Sequence, residues 1–168
     1  MTGDRVLLTI GTLAFAGICY LLMLKGWRGR QRRQGDLPAP PPVPADPGPV
    51  LVGAVAGLFV GTTSDESWLD RIAVHGLSDR SAGWLTVHES GVVIEREGVP
   101  DLYLPFTALR GAQTADAVAG RVVGRDGLIA LTWQLGGRTL VSAFRATDHG
   151  AYPRVVDAVR AHLPVEAP

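Results

Sequence analysis

The chain has 168 residues, with 16 Lys or Arg against 16 Asp or Glu, and its formal net charge at pH 7 is zero. This length allows one domain plus an additional segment. A single Cys excludes an intrachain disulfide, and the absence of Asn excludes an N-glycosylation acceptor. The charge is uneven, because residues 50–168 contain ten Arg against thirteen Asp or Glu, whereas residues 25–33 contain five basic residues and no acidic one.

Residues 6–24 are uncharged and mostly apolar (VLLTIGTLAFAGICYLLML). As an α-helix rising ~1.5 Å per residue, this stretch reaches about 28 Å, close to the hydrocarbon thickness of a bilayer. A cleaved signal peptide would have a shorter apolar core preceded by more positive charge. A buried soluble helix would not be followed at once by a basic cluster. The sequence therefore predicts an uncleaved transmembrane helix within an anchor region at residues 1–35.

The basic cluster after the span predicts the orientation of the chain in the membrane. The residues expected at the membrane interface are Lys25, Trp27, Arg28, Arg30, Arg32 and Arg33. The positive-inside rule predicts a single-pass protein of the plasma membrane, with its N-terminus outside and its C-terminal domain in the cytoplasm. The cations are expected to attract anionic headgroups, at about 1 kcal/mol each. Because they lie beside the span, binding to nucleic acid is not predicted.

A proline-rich segment follows at residues 36–49, with seven prolines in residues 38–49 (PAPPPVPADPGP). Proline fixes φ and lacks a backbone N–H, so this segment is expected to be polyproline II or irregular. At ~3.1 Å per residue it would act as a semi-stiff linker of about 35 Å. Its Pro-x-x-Pro spacings are also of the kind that an aromatic groove binds.

Residues 50–168 are expected to form one domain, and its first stretch has two possible structures. Residues 50–63 are uncharged, with Gly53, Gly57 and Gly61 four residues apart. That spacing allows close packing of membrane helices, and a second membrane segment would move the domain to the other side of the membrane. The apolar core at residues 50–60 is short for a span, however. A strand at residues 54–60 that ends in a turn after Gly61 is the preferred prediction.

The next segment has helical spacing. Ser64 or Asp65 can cap a short helix that runs to about His75, with Trp68 as a core anchor on its apolar side and Gly76 at its end. Beyond residue 81 the pattern changes to alternation, which indicates strands. The expected strands are residues 84–88, 92–96, 102–105, 110–114, 128–135 and 138–144, with a possible edge strand at 121–123.

The last part of the domain is predicted to be a hairpin followed by a helix. Gly136 and Gly137 tolerate the positive φ of a type I′ turn and so predict a hairpin around them. A final helix, capped by Thr147 or Asp148, has an apolar face, and Asp157 is spaced to pair with Arg154 and Arg160 on its other face. The apolar face comprises Tyr152, Val155, Val156, Val159 and Leu163. The predicted class is α+β: a partly open antiparallel β-barrel or sandwich of about seven strands with a C-terminal capping helix.

Five short motifs after the span, basic flank and proline-rich segment carry a family resemblance. They are GTT at 61–63, WLDR at 68–71, HGL at 75–77, GVVIEREGVPDLYLP at 91–105 and LTWQLGG at 131–137. Together they resemble a family of small actinobacterial membrane proteins with a pleckstrin-homology-like (PH-like) domain, often labelled only as export, membrane or transporter proteins. The resemblance implies a partly open antiparallel barrel capped by the C-terminal helix. It implies no catalytic residue, since none is established for the family.

The residues themselves show no catalytic or ligand-binding constellation. PH domains that bind phosphoinositides use basic residues around the loop between their first two strands, but residues 64–80 contain four acidic residues against two Arg. No two of the four His have metal-ligand spacing on one predicted element. Ser81, His88 and Asp79 could form a triad on paper only, because no nucleophile elbow is present. Neither a Walker loop nor a dinucleotide fingerprint occurs.

The leading hypothesis is a membrane-anchored cytoplasmic PH-like scaffold that contacts an unidentified protein. Such a fold offers an exposed sheet edge or the groove beside the terminal helix. The alternative is an accessory subunit of a membrane transport or export assembly, which needs partner subunits because one span cannot form a pore. Neither hypothesis requires an enzyme activity, a cofactor or a metal.

Overall fold

The computed structural model describes residues 2–67, 70–115, 117–118, 121–122 and 127–163. The chain divides into two compact units, Met1–Asp36 and Leu37–Pro168. The first unit is a single helix, α1 (Thr2–Arg33), in which Leu8–Gly26 is long and apolar enough to cross a membrane. The large apolar side chains between Leu8 and Met23 are exposed. An apolar surface all round a helix is typical of a helix in the core of a large protein or of a membrane span.

The second unit is a bent antiparallel sheet followed by a helix. Its strands are β1 (Val50–Ser64), β2 (Ser81–His88), β3 (Gly91–Arg96), β4 (Leu102–Pro105), β5 (Leu109–Ala115), β6 (Ala117–Val118), β7 (Arg121–Val122), β8 (Leu128–Leu135) and β9 (Arg138–Ala146), and its helix is α2 (Ala151–Ala161). Seven strands form one sheet in the order β4-β3-β2-β1-β9-β8-β5, and β6 and β7 pair separately. The predicted fold class is therefore confirmed.

Strand β1 joins the two halves of the sheet. Its first part pairs with β2 and its second part pairs with β9. The pairing with β9 shifts between Phe59 and Gly61, and Gly61 has φ of +137°, which favours glycine. The strand prediction for residues 54–60 is thus confirmed in place of a second membrane segment.

The core lies between the two halves of the sheet and α2. Its largest fully buried side chains include Trp133, Phe59 and Phe144. A polar cluster lies among them: the Trp133 indole N–H donates to Ser142 Oγ at 2.9 Å, and Ser142 Oγ lies 2.8 Å from Thr62 Oγ1. These three side chains are at most 1% exposed, so each depends on the others for hydrogen bonding.

The hairpin of β8 and β9 forms where the glycine pair predicted it. Leu135 pairs with Arg138, and the intervening Gly136 and Gly137 have φ of +56° and +78°. These are the two left-handed residues that a type I′ turn requires.

The short helix expected at residues 64–75 is wrong. The backbone of residues 70–72 pairs with the end of β1: Ser64 N–H donates to Asp70 O at 2.9 Å, and Ile72 N–H donates to Thr62 O at 3.0 Å. These bonds occupy the groups that a helix would use, because the uncovered end of a long strand offers partners. Trp68, the expected core anchor, lies outside the described residues.

The proline-rich segment contacts the sheet in this structure. Leu37 is 3% exposed and belongs to the main core cluster. At the other end of the segment, Pro47 O accepts a hydrogen bond from Ser90 Oγ at 2.7 Å. The division into an anchor at 1–35, a linker at 36–49 and a domain at 50–168 stays a prediction. The contacts of residues 37–49 are those of a docked segment and not of a free spacer.

Helix α2 presents its predicted apolar face to the core, with Tyr152, Val155, Val156 and Val159 buried. Its N-cap is Gly150, without a side-chain cap, so the predicted caps Thr147 and Asp148 are wrong by two or three residues. Asp148 Oδ1 instead accepts from the Gly150 N–H at 2.9 Å. The predicted ion pairs are also wrong: Arg154 contacts Asp148, and Arg160 contacts strand β5 instead of Asp157.

Candidate protein-interaction site beside the C-terminal helix

Tyr152 fixes the start of α2 against the sheet. Its hydroxyl donates to Gly127 O at 3.0 Å and Ala146 O at 3.3 Å, next to β8 and at the end of β9. Burial raises the pKa of Tyr152 above its usual value, and the positive charge of Arg145 and the bond to Ala146 oppose that rise. The phenol therefore stays neutral and fixes part of the floor of the cleft described next.

A cleft of about 420 Å³ lies between α2 and the end of β5. Its floor includes the buried side chains of Tyr152 and Val156. The His149 ring stands 5.6 Å from the Tyr152 ring, tilted by 51°. The remaining lining residues are Thr114, Pro153, Asp157 and Arg160. The cleft therefore combines an apolar, aromatic floor with one exposed acidic and one exposed basic side chain on its rim.

Arg160 covers part of the edge strand beside the cleft. β5 is the last strand of the seven-stranded sheet and pairs with β8 on one side. Arg160 Nε donates to Ala112 O at 2.8 Å, so a carbonyl in the middle of β5 is bonded to a side chain of α2. A charged group at a sheet edge hinders the addition of another strand.

A second hollow of about 360 Å³ adjoins the first through His149. It lies where the middle of β1 meets the end of β9, and it is lined by Gly57, Leu58, Arg145, Ala146, Thr147 and His149. A Cβ at Gly57 would collide with Arg145 O and the Phe144 ring. Only glycine therefore allows β1 and β9 to approach closely under this hollow.

The connection between β1 and β2 has a different character. Among its described residues the exposed charges are Asp65, Glu66, Asp70, Asp79 and Arg80. The other cation, Arg71, donates from Nη2 to Val60 O at 2.8 Å and is half-buried. The exposed surface of this connection is thus mostly acidic.

Arg96 holds that connection to the turn between β3 and β4. Arg96 is 6% exposed, and its guanidinium donates to Gly76 O at 2.8 Å and to Pro100 O and lies 4.9 Å from the centre of the Phe59 ring. Burial lowers the pKa of Arg96, and the carboxylates of Asp79 and Asp101 oppose that shift. Its contacts are with backbone carbonyls and a core aromatic, which is a structural role.

The four His lie apart and use their rings for backbone or ring contacts. His75 Nε2 bonds to Leu37 O, His88 Nδ1 to Gly48 O and His162 Nδ1 to Ala158 O. No group of three or more potential metal ligands occurs within the described ranges. Ser81 and His88, which were considered with Asp79 as a catalytic triad from the sequence alone, lie at opposite ends of β2, roughly 23 Å apart at ~3.3 Å per residue.

The expected membrane-interface residues all belong to α1, which extends to Arg33. The Lys25 side chain is exposed. The side chains of the other five, Trp27, Arg28, Arg30, Arg32 and Arg33, lie outside the described ones, so their predicted contacts with headgroups stay predictions.

The sequence indicated the groove beside the terminal helix but not the residues that form it. Thr114 lies on a weakly patterned strand, and His149 lies in the turn before α2. Arg160 was assigned to an ion pair on its own helix. Of the lining residues on the final helix, the sequence assigned Asp157 and Arg160 to its polar face and Tyr152 and Val156 to its apolar face.

A comparison with protein families agrees with this architecture. A family model described as Bacterial PH domain-like matches residues 37–160, from the buried Leu37 to Arg160 beside the cleft. A search of curated proteins found no match. The matched range spans more than half of the chain and contains the whole seven-stranded sheet with nearly all of α2. The chain therefore belongs to the bacterial PH domain-like family.

Proposed function

We propose that the protein is a membrane-anchored PH-like module that binds a partner protein in the cleft between α2 and β5. The observation that carries this proposal is the cleft itself, in which a buried aromatic and apolar floor lies open beside an edge strand. Clefts of this composition hold a peptide by burying one or two of its apolar side chains.

The rim residues favour a particular mode of binding. Arg160 already bonds to Ala112 O, so a partner strand adding along all of β5 would have to displace it. A peptide lying along α2 needs no such displacement. It would place an apolar side chain against Tyr152 and Val156, and an acidic and a basic side chain near Arg160 and Asp157.

We further propose that α1 crosses the plasma membrane of an actinobacterium once, with the N-terminus outside and the domain in the cytoplasm. The charge difference across the span supports this orientation, and the basic flank then meets anionic headgroups. A cytoplasm-active reporter fused after Pro168 should give signal, and a periplasm-active reporter at the same position should not. The reverse pattern would refute the orientation.

The cleft proposal is tested by a matched pair of charge reversals in the full chain. Asp157→Arg changes the rim of the cleft, whereas Glu97→Arg makes the same change at an exposed residue after β3. Proteins that co-purify in mild detergent are first identified with the wild-type chain. Their affinity is then measured for each variant with purified components.

Asp157→Arg should lower the affinity of a cleft-bound partner about tenfold or more, while Glu97→Arg should leave it within about twofold. Equal effects of the two variants would exclude the cleft as the binding site. Recovery of the chain in a stable complex with multispanning transport subunits, unaffected by Asp157→Arg, would instead assign it the accessory role.

A further inference from the structure

The proline-rich segment has a repeat that matches polyproline II geometry. Pro38, Pro41, Pro44 and Pro47 are each three residues apart. Polyproline II has three residues per turn, so prolines at this spacing are expected along one edge of a segment in that conformation. Up to Pro47, most residues of the segment are prolines or precede one, which favours this conformation. Gly48, with φ of +81°, departs from it.

Burial follows the same three-residue period. This holds from Pro41 to Pro47, where Pro41, Pro44 and Pro47 are half-buried and the residues between them are exposed; before this stretch Pro38 is exposed and Pro40 is half-buried. The segment therefore turns one proline edge toward the sheet and the opposite edge toward solvent.

Two anchor points hold the ends of the segment. At the first, Leu37 enters the core, Leu37 O bonds to His75 Nε2 at 2.8 Å, and Pro38 lies so close to Gly136 that a Cβ there would collide with it. At the second, Ser90 Oγ donates to Pro47 O, and His88 Nδ1 bonds to Gly48 O at 2.9 Å.

These contacts have the character of ligand recognition. A polyproline II backbone makes no internal hydrogen bonds, so its carbonyls are free to accept from a receptor. A carbonyl can only accept, so His75 carries its proton on Nε2 and His88 carries its proton on Nδ1. Side chains of the sheet and its connections thus donate to carbonyls of an extended proline-rich segment at both of its ends.

We propose that the surface from Gly136 to Ser90 is a polyproline-binding groove whose resident ligand is the chain's own segment, residues 37–49. A proline-rich segment of another chain with the same three-residue spacing can replace it. The resident segment competes at the high effective concentration of a tethered ligand, about millimolar for short tethers, so replacement is weak until its hold is reduced. This groove is separate from the cleft beside α2, and the two proposals stand independently.

The test measures fluorescence polarisation of a labelled peptide of residues 37–49 with the full chain in detergent micelles. Pro41→Ala with Pro44→Ala weakens the buried edge of the resident segment and leaves the groove intact, whereas Pro42→Ala changes its exposed edge. The first variant should bind the peptide about tenfold more tightly than the wild type, and Pro42→Ala should match the wild type. A peptide of the same composition without the three-residue spacing should not compete. If the double substitution lowers the yield of folded chain, Pro44→Ala alone replaces it, and a smaller rise in peptide affinity is expected.

The groove itself is tested by two neighbouring glycines in the weakened background. Gly136→Ala and Gly137→Ala share the strain of a positive φ, but only the Cβ at 136 collides with the first proline of the ligand. Peptide binding should be lost with Gly136→Ala and retained with Gly137→Ala. Equal binding by these two variants, or no gain from Pro41→Ala with Pro44→Ala or from Pro44→Ala alone, would overturn the proposal.

Discussion

Replacing Ser142 by Ala should destabilise the domain far more than an ordinary loss of one hydroxyl. The Trp133 N–H and the Thr62 hydroxyl both lose the oxygen that now lies 2.9 and 2.8 Å away. Neither group can reach water, because both side chains are fully buried. Each unsatisfied group costs about 1–3 kcal/mol. For two such groups we expect a total loss of about 2–4 kcal/mol.

A loss of this size is a large part of the ~5–15 kcal/mol by which domains are stable, and it corresponds to a fall in Tm of roughly 10–15 °C. The assay is urea unfolding of the full chain in mild detergent, followed by near-ultraviolet circular dichroism, which reports the packing of the domain's aromatic side chains. Ser78→Ala is the matched control. Its hydroxyl donates to Asp79 at 3.4 Å near the surface, and its removal should cost less than about 0.5 kcal/mol.

A double-mutant cycle separates the network from its parts. Thr62→Val removes one of the two groups that Ser142→Ala leaves without a partner, so the double variant should be more stable than the sum of the single effects predicts, by about 0.5–3 kcal/mol. Strict additivity, or a Ser142→Ala effect as small as that of Ser78→Ala, would refute the reasoning.

Three further predictions concern other buried groups. Burial raises the pKa of Tyr152, so the neutral phenol favours the folded state. This contribution to stability is complete below the pKa of the unfolded chain, near 10, and is lost as pH rises through the pKa of the folded protein. A Tm series from pH 7 to 11 should show this loss in the wild type and a smaller loss in Tyr152→Phe. Gly83→Ala would drive a Cβ into Glu95 O and should lower the free energy of urea unfolding by several kcal/mol. Gly53→Ala, where a Cβ meets open space, should lower it by less than about 1 kcal/mol. Similar losses in the two variants would contradict the steric account. Arg96→Lys cannot reach both Gly76 O and Pro100 O and should lower stability by about 2–4 kcal/mol, and an unchanged urea midpoint would show that the second carbonyl bond contributes nothing.

Much of the fold could be predicted because local pattern and final structure agree. The glycine pair 136–137 supplies the two positive φ angles of a type I′ hairpin turn, and the alternation on either side of it places the same residues inward in the sheet. The face of α2 that contains Val155 and Val159 is apolar at helical spacing and needs only one partner surface.

The wrong predictions concern segments whose structure depends on contacts with residues far away in the chain. Residues 70–72 have helical spacing, but the end of β1 offers them hydrogen-bond partners that no local pattern reveals. The proline-rich segment has the composition of a spacer, yet its contacts depend on Ser90 and Gly136, far along the chain. The sequence predicted a groove beside the terminal helix but not the residues that line it. Arg160 could not be assigned to it, since its partner is a main-chain carbonyl 48 residues away.

The shared strand β1 also has a consequence for the order in which the protein is made. Its first half can pair with β2 soon after both leave the ribosome, but its second half must wait for β9, about 80 residues later. At ~5–20 residues per second this wait lasts roughly 4–16 s, during which an uncharged strand edge is unpaired. We therefore expect translation speed between Ser64 and Arg138 to affect the yield of folded chain, because it sets how long this edge of residues 57–64 waits for its partner.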